Sequence, residues 1–561
     1  MPRPGPGPRC RAGRALRTRP VPALRACAAL ALVATATPGA NAQTVDAGGS
    51  DWRDGAVCYE IFVRSFFDSD GDGVGDLAGL VAKLDYLNDG DPETRDDLGV
   101  RCLWLMPVMA SASYHGYDVT DFYRVDPRYG TNADFRLLVE EAHVRGIRVI
   151  VDMLVNHVSS EHPFFKHALL QPDSPYRDWF RWRDEPGPPN EWGGSNWHRA
   201  PTRDEYYYGF FSRTMPDLDW ETPAVREELK RITAFWLLEM GADGLRLDAV
   251  RHLMEDPETG RSTNLPRTHD MMREYGAYVR SIAPDAFTIG EVFDSTGALL
   301  PYYPDQLDSY FAFEVSDAIL DAVRSGSSDR LLATVLRLQE AVPNDRWAPF
   351  LRNHDQVRTL TWLEGDVARA KLAASLLLTL PGLPFVYYGE EIGMTGDKPD
   401  PRIRTPMHWE LAPAAGFTTG TPWEPLPTDS LVANVEAQVG DPGSLLSHYR
   451  TLIHLRAGSS ALGAGALVPL EAGTDAVAAY LRVRGGDVAL VVANLDEEPV
   501  AGVALSSAPG ALEPGLHRVT ALLGDAPAAS LELGADGRFG GFVPVPTLAP
   551  LTAYVFEVEG P

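Results

Sequence analysis

The strongest constraint on this chain is the way its hydrophobic period switches. Between residue 57 and about residue 457, short runs of β-branched and aromatic residues alternate with stretches in which apolar residues recur every three or four positions. A parallel sheet needs this alternation, because parallel neighbours cannot be joined by a hairpin and take a crossover helix instead. Strands are predicted at 57–63, 101–106, 148–154, 244–249, 287–292, 309–313, 348–351 and 385–388. Eight such strands predict an α/β fold of the (β/α)8 TIM-barrel class. One crossover helix can be argued residue by residue. Thr222 is its expected cap, Pro223 suits the first turn and Gly241 the end, while Val225, Leu229, Ile232 and Trp236 share the face that covers the barrel.

Two segments break that rhythm. Residues 157–216, after the third strand, are rich in Trp, Tyr, Pro and Gly without a period, and are too long for a plain loop. They predict an inserted domain at the C-terminal rim of the barrel, where loops build active sites. The barrel then comprises 43–156 and 217–459. From 460 to 561, alternation broken by turn pairs, as in AVAAYLRVRGGDVALVVANL, predicts a C-terminal antiparallel β-sandwich.

The first 42 residues hold seven arginines and no acid, followed within them by an apolar run at 26–36 and the small-x-small triplet Ala40-Asn41-Ala42. This is the layout of a secretory signal peptide over 1–42, and its apolar run is about half the ~20 residues that a membrane span needs. A secreted or periplasmic protein is expected, with no stable membrane span after cleavage. Fifty Lys+Arg against 77 Asp+Glu give a net charge of −27, which argues against nucleic acid and anionic membranes as partners. Beyond the leader only Cys58 and Cys102 remain, each ahead of an apolar run. In an oxidising compartment they could pair, or they could stay as buried thiols that pack as small hydrophobes. Neither has companions at metal-ligand spacing.

Three acids follow the fourth, fifth and seventh strands: Asp248 in GLRLDAVRH, Glu291 in TIGEVF and Asp355 in FLRNHDQVR. A carboxylate in an apolar run is costly to bury, so each needs a partner or a task. Three at corresponding strand ends point to one site. Together with DMLVNH at 152–157, these segments resemble, in order, those of the α-amylase family, glycoside hydrolase family 13. YHGYDVTDF at 114–122, MPDLD at 215–219 and GLPFVYYGEEIGM at 382–394 support the resemblance.

The resemblance implies retaining hydrolysis of glucosidic bonds, with Asp248 as nucleophile, Glu291 as general acid and later base, and Asp355 orienting the sugar and stabilising the transition state. It implies that His157 and His354 bind hydroxyls of the sugar at the cleavage point, that Tyr117 stacks on it, and that Asp152 orients Arg246 or its neighbours. Arg246, two residues before Asp248 and so on the same strand face, can keep that carboxylate ionised. Like charge from Asp248 and Asp355 should raise the pKa of Glu291. Arg251 and His252 stand where many endo-acting relatives carry a Lys-His pair on the leaving side, and Arg for Lys changes the geometry. Asp118 matches an acid that grips the terminal glucose in exo-acting relatives.

A second signal is DSDGDGVGD at 68–76. Asp68, Asp70, Asp72, the carbonyl of Val74 and Asp76 offer oxygens at alternate positions, a pattern that suits a structural Ca²⁺, although the twelfth position is Gly79 and not the Glu of a complete EF-hand loop. For substrate, MPDLD resembles the motif of amylases intermediate between oligo-1,6-glucosidases and neopullulanases, with Asp219 in place of the common Asn. The expected function is α-1,4-cleavage of starch-like glucans and maltooligosaccharides by a monomeric α-amylase. The alternatives are an exo-acting α-glucosidase, an oligo-1,6-glucosidase or a transglycosylase. A non-catalytic glucan-binding or scaffold protein would not need the intact set Arg246, Asp248, Glu291, His354 and Asp355. Trp192, Trp197, Tyr206, Tyr207 and Tyr208 of the insertion have rings that could stack on sugars, but each reads first as core.

Overall fold

Eight short parallel strands form one sheet in the computed structural model, which describes residues 51–560; the signal peptide read at 1–42 lies outside the described residues. The strands are β1 (Cys58–Ile61), β2 (Cys102–Leu105), β3 (Arg148–Met153), β4 (Gly244–Leu247), β5 (Phe287–Gly290), β6 (Ser309–Phe311), β7 (Trp347–Ala348) and β8 (Phe385–Tyr387). Their order is β7-β6-β5-β4-β3-β2-β1-β8, and a parallel bridge between Phe350 and Phe385 closes the ring. Every predicted strand is present, one to three residues shorter than its apolar run.

Successive side chains of a strand point to opposite faces, so every second residue enters the barrel. Cys58, Cys102, Ile150, Phe287 and Phe385 belong to a dry inner cluster. Two residues further along their strands, Glu60, Trp104 and Asp152 carry the same parity into a polar layer, all three fully or almost fully buried. Cys58 and Cys102 lie directly opposite in the β1–β2 register and form a disulfide.

Helices cover the outer face. The main ones are α1 (Asn132–Val144), α2 (Pro223–Ala234), α3 (Pro266–Ile282), α4 (Phe313–Ser325), α5 (Asp329–Ala341), α6 (Val367–Thr379) and α7 (Leu445–Gly458). Helix α1 starts at a capping box in which Thr131 and Asp134 satisfy each other's backbone N–H. Helix α2 has Pro223 in its first turn and buries Val225, Leu229 and Ile232 as expected. Thr222, however, does not cap it with its side chain; its hydroxyl donates to the Asp178 carbonyl instead. One widened turn, Phe235–Glu239, then carries the chain to Gly241, whose φ of 82° is the left-handed conformation that a glycine supplies cheaply.

The insertion after β3 contains a helix, Pro163–Leu170, and a three-stranded antiparallel sheet with Tyr206–Tyr208 between Trp182–Arg183 and Trp197–Arg199. Phe165 packs on Trp182 and Tyr207 at its centre.

The C-terminal part is a six-stranded antiparallel sheet of β9 (Ala466–Pro469), β10 (Val477–Arg484), β11 (Asp487–Asn494), β12 (Gly515–Leu523), β13 (Ala529–Leu533) and β14 (Thr552–Glu559), in the order β9-β10-β11-β14-β12-β13. A two-stranded ladder, Val500–Ala501 with Thr547–Leu548, accompanies it. Two fully buried arginines lie where this sheet meets the barrel. Arg482 of β10 donates to the carbonyls of Thr379 and Gly465, and Arg456 of α7 donates to those of Leu378, Leu380 and Gly382. Between them they satisfy carbonyls at the end of α6 that have no partner within that helix. Among the described residues, no helix is long and apolar enough to cross a membrane.

Candidate active site

The polar layer of the barrel meets at one guanidinium. Arg246 Nη1 donates to Asp152 Oδ1 (3.0 Å) and Asp248 Oδ1 (2.7 Å), and its Nη2 donates to Glu291 Oε2 (2.7 Å). Register explains the geometry, since Arg246 stands opposite Asp152 on β3 and Ile289 on β5, while Asp248 and Glu291 lie just past the ends of their strands. The Arg246 side chain is 1% exposed and that of Asp152 is 0% exposed. One cation therefore offsets part of the cost of burying three acids together. Trp104 lies with its ring 4.9 Å from the same guanidinium and donates through Nε1 to Asp152 Oδ2.

Ala249, directly after Asp248, is held at φ 52°, a left-handed conformation unusual for a residue with a Cβ. That turn aims its N–H at Glu291 Oε2 (3.3 Å), so backbone strain is spent at the site itself. Burial raises the pKa of Glu291 most, Arg246 opposes, and the charges of Asp248 and Asp355 add to the rise. The expected like-charge effect is therefore present, but burial is the larger cause.

A second hydrogen-bond chain runs from Glu60. His354 Nδ1 contacts Glu60 Oε1 at 2.5 Å, and its Nε2 lies 2.7 Å from the Tyr117 hydroxyl and 3.2 Å from Asp355 Oδ2. Tyr117 in turn donates to Asp152 Oδ2 (3.0 Å). Burial disfavours a charged imidazole here, yet the Asp355 and Glu60 carboxylates outweigh it and push His354 up to about 10. Both nitrogens are then donors, consistent with the acceptors they face. Asp355 also accepts from Arg404 Nη2 (2.8 Å). Enclosure pushes its pKa upward, but His354, then Arg404 and Arg246, hold it well below the ordinary carboxylate range.

The remaining candidate residues also have protein partners. Tyr117 stacks on His354, with ring centroids 5.4 Å apart and planes at 12°, so one face of its ring is occupied by protein. His157 is buried. Its Nε2 lies 2.9 Å from the Tyr117 carbonyl, an acceptor that fixes the proton on this nitrogen, and its Nδ1 faces Asn156 Nδ2; burial lowers its pKa to about 4. Asp118 is buried, with Oδ1 accepting from Ser111 Oγ (2.6 Å) and Ser113 N (3.1 Å). Arg251 and His252, expected to bind sugar, bond to each other, Arg251 Nε donating to His252 Nε2 (2.9 Å). Arg251 also donates to the Phe293 carbonyl and to Asp294 Oδ2, so its donors tie the loop after β4 to the loop after β5. Burial and then Arg251 push His252 down to about 3.

Glu60, Trp104 and Arg404 were not singled out from sequence. Glu60 carried the signal already applied to the three acids, a carboxylate inside the apolar run VCYEIFV.

In the 68–76 loop, Asp68, Asp70 and Asp76 offer oxygens that all lie within 4.8 Å of one another, a hard-oxygen donor set that fits Ca²⁺. Asp72 stands outside that group and accepts from Val74 N (2.8 Å) in its own turn. Gly73, at φ 94°, packs so closely on Thr421 that a Cβ would fall 1.9 Å from its carbonyl oxygen.

Comparison with known proteins agrees with this geometry. The α-amylase catalytic-domain family matches residues 60–465. "Alpha-amylase 3" of Dictyoglomus thermophilum is 40% identical over 452 residues, covering 79% of this chain and 85% of that protein. An oligo-1,6-glucosidase of Parageobacillus thermoglucosidasius is 33% identical, covering 80% and 91%, and a trehalose synthase of Pimelobacter sp. is 35% identical, covering 80% and 88%. Among solved structures, an α-amylase from H. orenii superposes with a TM-score of 0.77 at 37% identity, covering 90% of this chain and 99% of that one. Barrel, clustered carboxylates and relatives lead to one assignment: this chain belongs to the α-amylase family and is a glycoside hydrolase.

Proposed function

We propose that the chain is a secreted, retaining α-amylase that cleaves α-1,4-glucosidic bonds of starch-like glucans and maltooligosaccharides. The observation that carries the proposal is the division of labour around Arg246, which binds one oxygen of Asp248 and one of Glu291 through separate nitrogens. Retaining hydrolysis needs two carboxyls about 5 Å apart, one ionised to attack and one protonated to donate. Asp248 attacks the anomeric carbon while Glu291, its pKa raised, protonates the departing oxygen. Once Asp248 is esterified its charge is gone, one cause of the rise in Glu291 disappears, and Glu291 becomes the base that activates water. Asp355, held ionised by His354 and Arg404, stabilises the positive charge that develops on the sugar ring.

The α-1,4 preference is supported by the amylase relative at 40% identity. Relatives named oligo-1,6-glucosidase and trehalose synthase at 33–35% identity favour, as a second possibility, an end-acting or transferring enzyme in which buried Asp118 shapes the pocket. Calcium at Asp68, Asp70 and Asp76, with the Val74 carbonyl, would brace the loop after β1 without entering the chemistry. The leader supports secretion, and a monomeric state completes the proposal.

Products released over time from soluble starch, maltoheptaose and isomaltose test it, comparing wild type with Glu291→Gln. An early spread of maltooligosaccharides that vanishes in the variant is expected. Glucose alone from the outset, or cleavage of isomaltose, would overturn the amylase assignment in favour of the exo-acting one.

A further inference from the structure

Of the five insertion aromatics that read as core, Trp197, Tyr207 and Tyr208 are buried and Tyr206 is half-buried, but Trp192 is 59% exposed. A lone exposed tryptophan means little. This one is distinguished by how firmly it is presented and by what it borders.

Asn190 Oδ1 accepts from the N–H groups of Trp192 (3.1 Å) and Gly194 (2.8 Å), and Asn190 Nδ2 donates to Asn196 Oδ1 (2.7 Å). The tip that carries the indole is thus a tied turn. Its neighbour Glu191 reaches the barrel, where Thr263 Oγ1 donates to Glu191 Oε2 (2.6 Å) and Arg261 Nε lies 3.6 Å from Oε1. The tip of the insertion is therefore clasped to the loop that follows β4.

The indole stands edge-on to His252 and to Phe210, with centroids 6.2 and 5.7 Å away, and Phe210 stacks on His252 at 3.9 Å. His252 is four residues beyond Asp248. Phe211, itself 47% exposed, continues the run from His252 (6.2 Å) to His157 (5.2 Å). The exposed indole is the outer end of an aromatic row that runs past His252 to His157, whose Nε2 contacts the carbonyl of Tyr117, the residue stacked on His354.

We propose that Trp192 is a stacking platform for a glucosyl unit of a longer chain, outside the ring that is attacked, and that the Glu191–Thr263 clasp keeps it in place. The proposal rests on the glucan-hydrolase assignment above. Glucose presents a face of C–H groups that packs on an aromatic ring, and a rigid indole offers a large contact at low conformational cost. Fixing the turn beforehand removes an ordering cost from binding.

The test compares kcat/KM on maltoheptaose and on α-glucosyl fluoride, which carries no sugar beyond the attacked ring, for wild type, Trp192→Ala, Trp192→Phe and Thr263→Val. Trp192→Ala is expected to lose about tenfold more on maltoheptaose than on the fluoride, mainly through KM. Trp192→Phe should restore most of the loss, and Thr263→Val should show a smaller loss with the same selectivity. Equal losses on both substrates, or no loss on either, would overturn the platform. A wild type that releases fluoride but leaves maltoheptaose intact would instead defeat the α-1,4 assignment. Isomaltotriose then replaces maltoheptaose in the comparison, where a selective loss supports the platform and its absence overturns it.

Discussion

Replacing Arg246 with Met keeps the volume of the side chain and removes the one cation shared by Asp152, Asp248 and Glu291. Breaking a buried ion pair from one side costs about 3–5 kcal/mol, because the partner charge is left stranded. At about 2.1 cal/mol/K per residue, a cooperative unit of roughly 500 residues gains about 1 kcal/mol/K of entropy on unfolding, so the loss should lower Tm by about 3–5 °C. The loss should also depend on pH. Burial raises Asp152 to about 7 even with Arg246 beside it, and without the guanidinium the folded-state pKa values of Asp152 and Glu291, both already raised, move further above their unfolded values. A group with a raised folded pKa contributes stability that is lost as pH rises, so the gap in Tm between wild type and Arg246→Met should widen from pH 5 to pH 8. Calorimetric melts across that range measure it. Arg246→Lys should recover part of the stability, yet remain at least about a hundredfold down in kcat because an ammonium cannot bridge both carboxylates as a fork does. A gap of the same size at every pH would show that lost packing, and not stranded charge, explains the destabilisation.

Three further outcomes are expected. His354 is pushed up from 6.5 to about 10, so its contribution to stability is complete below pH 6.5 and declines as pH rises toward 10; in Glu60→Gln melts, that decline should still begin near pH 6.5 but be smaller and level off at lower pH than in wild type. Asp355→Asn removes one of the charges that raise Glu291, so the alkaline limb of the residual kcat/KM profile on α-maltotriosyl fluoride should move to lower pH; a limb that stays in place would assign it to another group. Chelation with EGTA should lower the Tm of the wild type by several degrees and leave an Asp76→Ala variant, already less stable, almost insensitive; equal responses would place the calcium elsewhere.

Much of the barrel was legible because parity and burial speak through residue type. GLRLDAVRH places Arg246 and Asp248 two residues apart in an otherwise apolar run, and TIGEVF places Glu291 two residues beyond Ile289, the parity that the lumen of a closed barrel accommodates. What stayed hidden depended on direction and on distant partners. Arg404 reaches Asp355 from a segment 49 residues away, a pairing that no local period encodes. Arg251 and His252 satisfy each other in the short turn after β4, where Arg251 also reaches the loop after β5 and His252 faces the Ser262 carbonyl. Thr222 could choose between its own helix and the Asp178 carbonyl, and the tertiary contact won. Asp72 follows the alternation of its loop, yet its carboxylate turns to Val74 N. Trp192 and Trp197 have the same composition around them, and only the Asn190 turn separates the exposed ring from the buried one.

The two arginines beneath the C-terminal sheet bear on how such a chain can be recombined. Arg482 belongs to β10 and Arg456 to α7, yet both complete the end of α6, so the seam between sheet and barrel is written partly in each. A protein cut near residue 459 would keep its catalytic carboxylates but leave the Thr379 carbonyl without its Arg482 donor. A foreign sheet grafted in its place would have to bring an arginine at the position of Arg482. The C-terminal sheet is therefore inherited with its barrel as a single unit of exchange, and shuffling experiments should find viable crossovers at the tip of the insertion sooner than at the boundary near residue 460.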